Sequence, residues 1–245
     1  MKTEPLVNNI NTQLKHDLVL ASHILVAQKL DSGPFGNISV RIPGTAEFLI
    51  NPCGVTFNQI KSNDILRIDL NGNILEGDKP AHPGEIIHRA IYQLRPDVSA
   101  IVHSHSINTV MQSLLGIKIE PYTQLGASIH NDQGVYSGFT GPVRSTQEGY
   151  AIAEALENYS IVIAKNHGLF TTSKSLPAAL WDFIVCEQAA LVHLQALQLG
   201  LKQAELISDE YLQKSKEEVR HKQFHFMWKN FVNSLAQNFS QEETP

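Results

Sequence analysis

The sequence predicts an α/β protein in which short strands form one central sheet and helices surround it. Three observations carry that expectation. The chain has 245 residues, 42% of them hydrophobic, enough to bury a sizeable core without disulfides. Apolar runs of strand length alternate with longer runs at helical spacing. Breaker clusters end these runs, yet no Pro/Gly/Ser-rich linker, repeat or low-complexity stretch divides the chain. The expectation is a single domain over residues 1–245, with a core of about 14–205 and a C-terminal helical extension over 206–238.

The elements follow in order. From Leu14 to Leu30, Leu18, Leu20, Ile24 and Leu25 lie at helical spacing, and Asp31-Ser32-Gly33-Pro34 stops the run. Short β-like runs follow at Ile38–Ile42, Phe48–Asn51 and Ile65–Asp69, the last ahead of the turn Asn71-Gly72-Asn73. Pro83-Gly84 opens an amphipathic stretch from Glu85 to Leu94, which Pro96 closes. Val98–Val102 is a continuous apolar run that leads into His103. Ser145-Thr146-Gln147-Glu148 is a capping-box pattern ahead of a helix over Tyr150–Leu156. Ser160–Ala164 reads as another buried strand, ending at Lys165-Asn166-His167-Gly168. Ser175 and Pro177 start the strongest helix, which runs to Gly200. A last helical region covers Asp209 to Leu235, and Ser240 to Pro245 reads as a frayed end.

Composition excludes several classes of function. The net charge of -5 gives no electrostatic reason for a nucleic-acid or anionic-membrane partner. The N-terminus has no apolar stretch of signal-peptide length, and no run approaches the roughly 18–20 apolar residues that span a bilayer. Cys53 and Cys186 are too few for a disulfide framework. A cytoplasmic protein acting on a small molecule is expected.

The chemistry lies in the histidines. Residues two apart in a strand project from the same face, so His103 and His105 point the same way at the end of Val98–Val102. His167 ends a second apolar strand, just before Gly168. If the two strands are neighbours, three imidazoles converge and a fourth position stays open, the pattern of a catalytic rather than a structural metal. Spacing alone leaves a chance H-x-H pair open. Glu85, in the first turn of its helix, is either an acid/base group or a carboxylate that stabilises the helix start. Gly33-Pro34-Phe35-Gly36-Asn37 runs into a strand, which excludes a dinucleotide or Walker loop and leaves an oxyanion cradle or an ordinary turn. His88, one turn after Glu85, reads as core. Arg220 to Lys229 mixes basic and aromatic residues and holds His221 and His225 at i, i+4; it reads as a terminal amphipathic helix.

Several ordered motifs resemble the class II aldolase/adducin family. They are Arg95-Pro-Asp-Val-Ser-Ala-Ile-Val-His-Ser-His105, Lys165-Asn-His-Gly-Leu-Phe170, Gly36-Asn37-Ile38-Ser39-Val40-Arg41, Asn51-Pro52-Cys53-Gly54-Val55 and Gly84-Glu85-Ile-Ile-His88, with Ala178-Ala-Leu-Trp181 and Glu187 downstream. The resemblance covers roughly residues 14 to 205. It implies a three-layer fold with a central mixed or antiparallel sheet. It also implies one divalent metal ion per subunit on His103, His105 and His167, with Zn²⁺ first and Mn²⁺, Fe²⁺ or Co²⁺ as alternatives. Glu85 would be the general acid/base, and Gly36, Asn37, Cys53, Gly54 and Gly84 would surround the substrate's anionic group. His82 would line the entrance. Tyr122 would reach a neighbouring subunit's site in a homotetramer, or fill the core. The implied activity is an aldolase-type lyase that breaks a C–C bond of a small hydroxy-carbonyl or 2-oxo acid through a metal-stabilised enediolate. A decarboxylase, a metal-dependent oxygenase and a non-catalytic adducin-like interaction module are the rivals. Hydroxyl donors of the family's phosphate pocket are replaced here at Cys53 and Pro83-Gly84, which argues against a phosphorylated substrate.

Overall fold

The computed structural model describes residues 4–138, 141, 143, 145–201 and 207–242, without the side chains of 4–8, 219–222 and 238–242. The His221 side chain and residues 243–245 of the expected frayed end lie outside the described residues. Eight strands form one sheet: β1 (Asn37–Arg41), β2 (Glu47–Ile50), β3 (Leu66–Asp69), β4 (Ile74–Glu76), β5 (Ala100–Ser104), β6 (Gln133–Tyr136), β7 (Ile161–Ala164) and β8 (Gly168–Ser173). Their order is β4-β3-β2-β1-β5-β8-β7-β6. Every neighbouring pair is antiparallel except β6–β7, which is parallel, so the sheet is mixed.

The helices are α1 (Glu4–Ala27), α2 (Glu85–Leu94), α3 (Ile107–Leu115), α4 (Thr146–Leu156), α5 (Leu176–Gln198) and α6 (Asp209–Glu242). Alternation along the strands decides which helices cover which face. Ile38, Val40, Leu49, Val102, Ile163 and Leu169 pack with Leu18 and Leu25 of α1 and Phe183 of α5. Their strand neighbours Phe48, Ile50, Ile101, Val162 and Phe170 turn to the other face and meet Ile87 and Ile91 of α2 and Ile152 and Leu156 of α4. Each such buried side chain contributes about 1.5–3 kcal/mol relative to exposure. Two cores on one sheet make the expected three layers. No helix of the described residues is long and apolar enough to cross a membrane.

The capping box at Ser145 is present, with Glu148 N–H donating to Ser145 Oγ at 3.2 Å and Ser145 N–H to Glu148 Oε2 at 3.1 Å. The first helix begins at Glu4, ahead of the apolar spacing that marks it from Leu14. Strand β5 starts at Ala100 and runs through His103 to Ser104, two residues beyond the apolar run. Elements α3, β4, β6 and β8 have weak local signals. Strand β8 reads Gly-Leu-Phe-Thr-Thr-Ser, and its hydroxyls are buried with partners instead of alternating with solvent. Thr171 Oγ1 donates to Ala179 O at 2.8 Å and Thr172 Oγ1 to Ser160 O at 3.1 Å.

Candidate metal centre and its pocket

His103 is the fourth residue of β5, and the sheet register sets its neighbours: Asn37 across β1 and Phe170 across β8. Directly opposed residues share a face of the sheet, so all three turn toward the α2/α4 side. The His103 ring lies flat on Phe170, centroids 4.0 Å apart and planes 9° apart. Its Nδ1 is 2.8 Å from Leu169 O. A carbonyl only accepts, so Nδ1 carries the proton and Nε2 is bare. That bare nitrogen lies 3.0 Å from His105 Nε2.

His105 follows the strand, its backbone N–H donating to Ser32 Oγ at 3.1 Å. His167 arrives from the other side. Ala164 pairs with Gly168, which makes Lys165-Asn166-His167 the turn of the β7–β8 hairpin. Gly168 closes that turn at φ +145, a conformation that side chains rarely adopt. The three imidazole centroids are 4.8, 4.9 and 4.9 Å apart. One ring nitrogen from each lies within 4.8 Å of the others. Nitrogens sharing a tetrahedral zinc sit about 3.3 Å apart, given Zn–N bonds of about 2.0–2.1 Å. The donor set and the His103 tautomer therefore fit a small divalent cation.

Electrostatics agree. Burial holds His103 well below its ordinary pKa, with His167 and His105 adding to the shift. His167 is pushed down to about 4 by burial and then by His105 and His82, and burial lowers His105. All three stay neutral at pH 7, the form that ligates metal. The segment after His105 is held from a distance. The buried Glu187 carboxylate of α5 accepts from Ser106 Oγ at 2.7 Å, Thr109 N at 2.9 Å and Asn108 N at 3.1 Å, capping α3 in place of a local side chain.

The three histidines form one wall of a cavity of about 490 Å³. Asn37 of β1, paired beside His103, lines the cavity with the loop residues Cys53, Gly54 and His82 and with Gly84 at the start of α2, while Phe35, Ile87, Val143 and Phe170 supply apolar surface. No Lys, Arg, Asp or Glu is among the described lining residues.

Three expected site residues are placed elsewhere. Gly36 lies behind the wall, its backbone covered by the Phe57 ring and its carbonyl accepting from Asn51 Nδ2 at 3.1 Å. Tyr122 lies beside His193, rings tilted at 31° with centroids 5.9 Å apart, and does not line the pocket of its own chain. The third is Glu85, the expected acid/base group. Its carboxylate turns along α2 to Arg89, one turn on, at 3.3 Å, and it does not line the pocket. Gly84, the residue before it, forms the wall. Burial raises the Glu85 pKa, and Arg89 opposes the rise. His88 is core: its Nδ1 is 2.6 Å from Ser39 Oγ. Sequence reading missed Phe170 as the bed of His103, although it stands in a recognised motif. It also missed the Leu169 carbonyl and the apolar pair Ile87 and Val143, for which no local signal exists.

Comparison with known proteins agrees with this geometry. The family described as "Class II Aldolase and Adducin N-terminal domain" matches residues 16–194. The chain is 32% identical over 171 residues to the decarboxylase NovR of Streptomyces niveus, covering 69% of this chain and 63% of that protein. It is 31% identical over 171 residues to the 4-hydroxy-3-prenylphenylpyruvate oxygenase/4-hydroxy-3-prenylbenzoate synthase of Streptomyces roseochromogenus subsp. oscitans, covering 69% and 62%. The match thus spans less than two thirds of the length of both relatives. The structure superimposes on L-fuculose 1-phosphate aldolase from Glaciozyma antarctica PI12 with a TM-score of 0.83 at 27% identity, covering 96% of this chain and 93% of that one. The chain belongs to the class II aldolase/adducin family.

Proposed function

We propose that the chain is a metal-dependent lyase that breaks the carbon–carbon bond one carbon away from the carbonyl of a small oxo acid. The observation that carries this reading is the trio of neutral imidazoles on a cavity whose other described walls are apolar or uncharged. A divalent cation held there, zinc first, supplies a Lewis acid for the negative charge that develops on the carbonyl oxygen as the bond breaks. His103, His105 and His167 hold that ion. Phe170 and Leu169 fix the ring of His103, and Glu187 fixes the segment that carries His105. Phe35, Ile87 and Val143 exclude water around the reacting carbons.

The placement of Glu85 separates two versions of the reaction. Retro-aldol cleavage needs a group that takes the proton of the substrate's β-hydroxyl. Loss of a carboxylate one carbon from the carbonyl needs none: carbon dioxide leaves, and the bonding electrons move onto the carbonyl oxygen. With Glu85 paired to Arg89, the described lining has no carboxylate to serve as base. Decarboxylation therefore comes ahead of aldol cleavage. Asn37, Cys53, Gly54 and Gly84 surround the substrate's polar end without a cationic side chain, which favours a carboxylic acid over a phosphorylated sugar.

A homo-oligomer, by likeness a cytoplasmic homotetramer, completes the proposal. Ile107, Met111, Leu114 and Leu115 on α3, with Ile117 after it, are exposed apolar side chains, the kind of patch that marks an interface. Tyr122 is the candidate contribution to a neighbour's pocket. The deciding experiment is metal analysis of the purified chain, then a screen of 2-oxo acids bearing a 3-carboxylate and of phosphorylated ketoses. Carbon dioxide release from the former is expected. Aldehyde release from the latter would make the chain an aldolase, and oxygen uptake with bound iron would make it an oxygenase. A chain that binds no divalent metal would leave the interaction-module reading.

A further inference from the structure

We infer that His82 presents a fixed Nε2–H to the substrate's oxyanion in the pocket that the three metal-binding imidazoles line. The inference rests on the proposed cation site for its purpose but not for its geometry. His82 Nδ1 accepts from the Gly84 backbone N–H at 3.0 Å. A backbone N–H can only donate, so Nδ1 is bare and the neutral ring must carry its proton on Nε2. The Asn37 side-chain nitrogen lies 3.1 Å from the same Nδ1. Because Nδ1 is bare, the NH₂ group of Asn37 faces it, and Asn37 Oδ1 turns away.

Two further observations make this a built device. Asn37 is 1% exposed, it lines the pocket, and its Oδ1 is a buried acceptor with no partner among the described residues. Unpartnered buried acceptors are costly unless a ligand or water completes them. Gly84 is the residue that the clamp requires. A Cβ there would stand 2.5 Å from Asn37 Nδ2 and 3.1 Å from His82 Nδ1, so any side chain would push the ring away. His82 itself lines the cavity, close enough to feel His105 electrostatically. One ring nitrogen is thus tied to the backbone and the other is left as a donor. His82 therefore offers the pocket one N–H, complementary to a carboxylate or enolate oxygen, with Asn37 holding the ring from behind. Donors aimed in advance at developing charge are the groups whose removal costs most in turnover.

The test separates donor from scaffold. In His82→Asn the amide oxygen takes the place of Nδ1 and keeps the Gly84 contact, but no donor reaches the pocket. In His82→Gln the amide nitrogen takes the place of Nε2. The probe is oxalate, a planar mimic of an oxo-acid enolate, titrated calorimetrically into the zinc-loaded chain. His82→Asn should hold zinc as the native chain does and bind oxalate about tenfold more weakly, with His82→Gln recovering to within about threefold, as loss of one charge-assisted hydrogen bond requires. Nitrogen-15 spectra of the metal-free chain should show the His82 ring protonated on Nε2. Unchanged oxalate affinity in His82→Asn, zinc loss in that variant, or a ring protonated on Nδ1 would each overturn the inference. If the native chain holds no zinc, the metal-centre proposal fails by itself, and the nitrogen spectra still decide the His82 tautomer.

Discussion

The two walls of the pocket are built by different means. The histidine wall hangs on the backbone ladder: His103 lies within β5, Leu169 and Phe170 beneath it lie in β8, and His167 closes the hairpin that begins β8. Most of the remaining lining is loop, held by side-chain and backbone hydrogen bonds to backbone. Asn51 Oδ1 accepts from Ile38 N at 2.7 Å, Asn51 Nδ2 donates to Gly36 O, and Cys53 N donates to Pro80 O at 2.9 Å. Three nitrogens that must meet within an ångström or so gain from the stiffest scaffold available. Groups that select a substrate can sit on loops, where residues change without disturbing the sheet. On this reading the cation is the constant of the fold, and Cys53, His82 and Gly84 decide what the pocket accepts.

Substitutions can break that comparison. The largest effect is expected on the histidine wall. His103→Ala or His167→Ala should remove bound metal, seen by elemental analysis, and lower turnover at least about a hundredfold, as loss of a metal ligand does. Cys53→Ala on the loop wall should leave metal content unchanged; metal loss there would erase the distinction between the walls.

Next comes acid, acting on the core beneath the pocket. His88 is fully buried, and burial, then His82, push its pKa down to about 3. The unfolded chain binds that proton near the ordinary value of about 6.5, whereas the folded chain stays neutral. Stability from this group is therefore complete above pH 6.5 and is lost as pH falls toward 3. Urea unfolding in the presence of a chelator should show a decline of a few kcal/mol across that window. His88→Phe should make the slope shallower, with His103 and His167 still contributing, and an unchanged slope would assign the acid sensitivity to those and other groups.

Glu187→Ala should cost about 2–3 kcal/mol in the same assay, because Ser106 and two backbone N–H groups lose a charged acceptor. It should also weaken metal binding, since the segment carrying His105 loses its anchor. Zinc affinity equal to that of the native chain would show that the ladder alone positions the ligands. Glu85→Gln should do least. Its pair with Arg89 lies outside the pocket, so turnover should stay within about threefold and stability within about 1 kcal/mol. A collapse of turnover would restore the acid/base role that the sequence suggests for Glu85.

That contrast shows how far residues reveal their own placement. The H-x-H pair and His167 were legible because each follows an apolar run that a buried strand requires. The Glu85–Leu94 helix was legible from its breakers and its apolar side. Which side of the first turn faces the cavity was not, because a shift of one residue turns a helical side chain by about 100°. The pattern is therefore the same whether Gly84 or Glu85 faces the cavity. Helix α3 was hidden for another reason: its N-terminal cap comes from Glu187, about 80 positions later, and no local pattern records such a partner. Strand β8 was hidden by threonines whose hydroxyls are satisfied inside the protein.

The pairing of Ser104 with Leu169 and of His103 with Phe170 has a consequence for how the chain matures. Sliding β8 by one residue against β5 would turn its alternate side chains to the wrong face and move His167 relative to the other two imidazoles. On the proposed metal centre, only the correctly aligned hairpin would offer a divalent ion all three nitrogens. Capture of the ion would then act as a proofreading step, drawing misaligned chains back to the one alignment that can hold it.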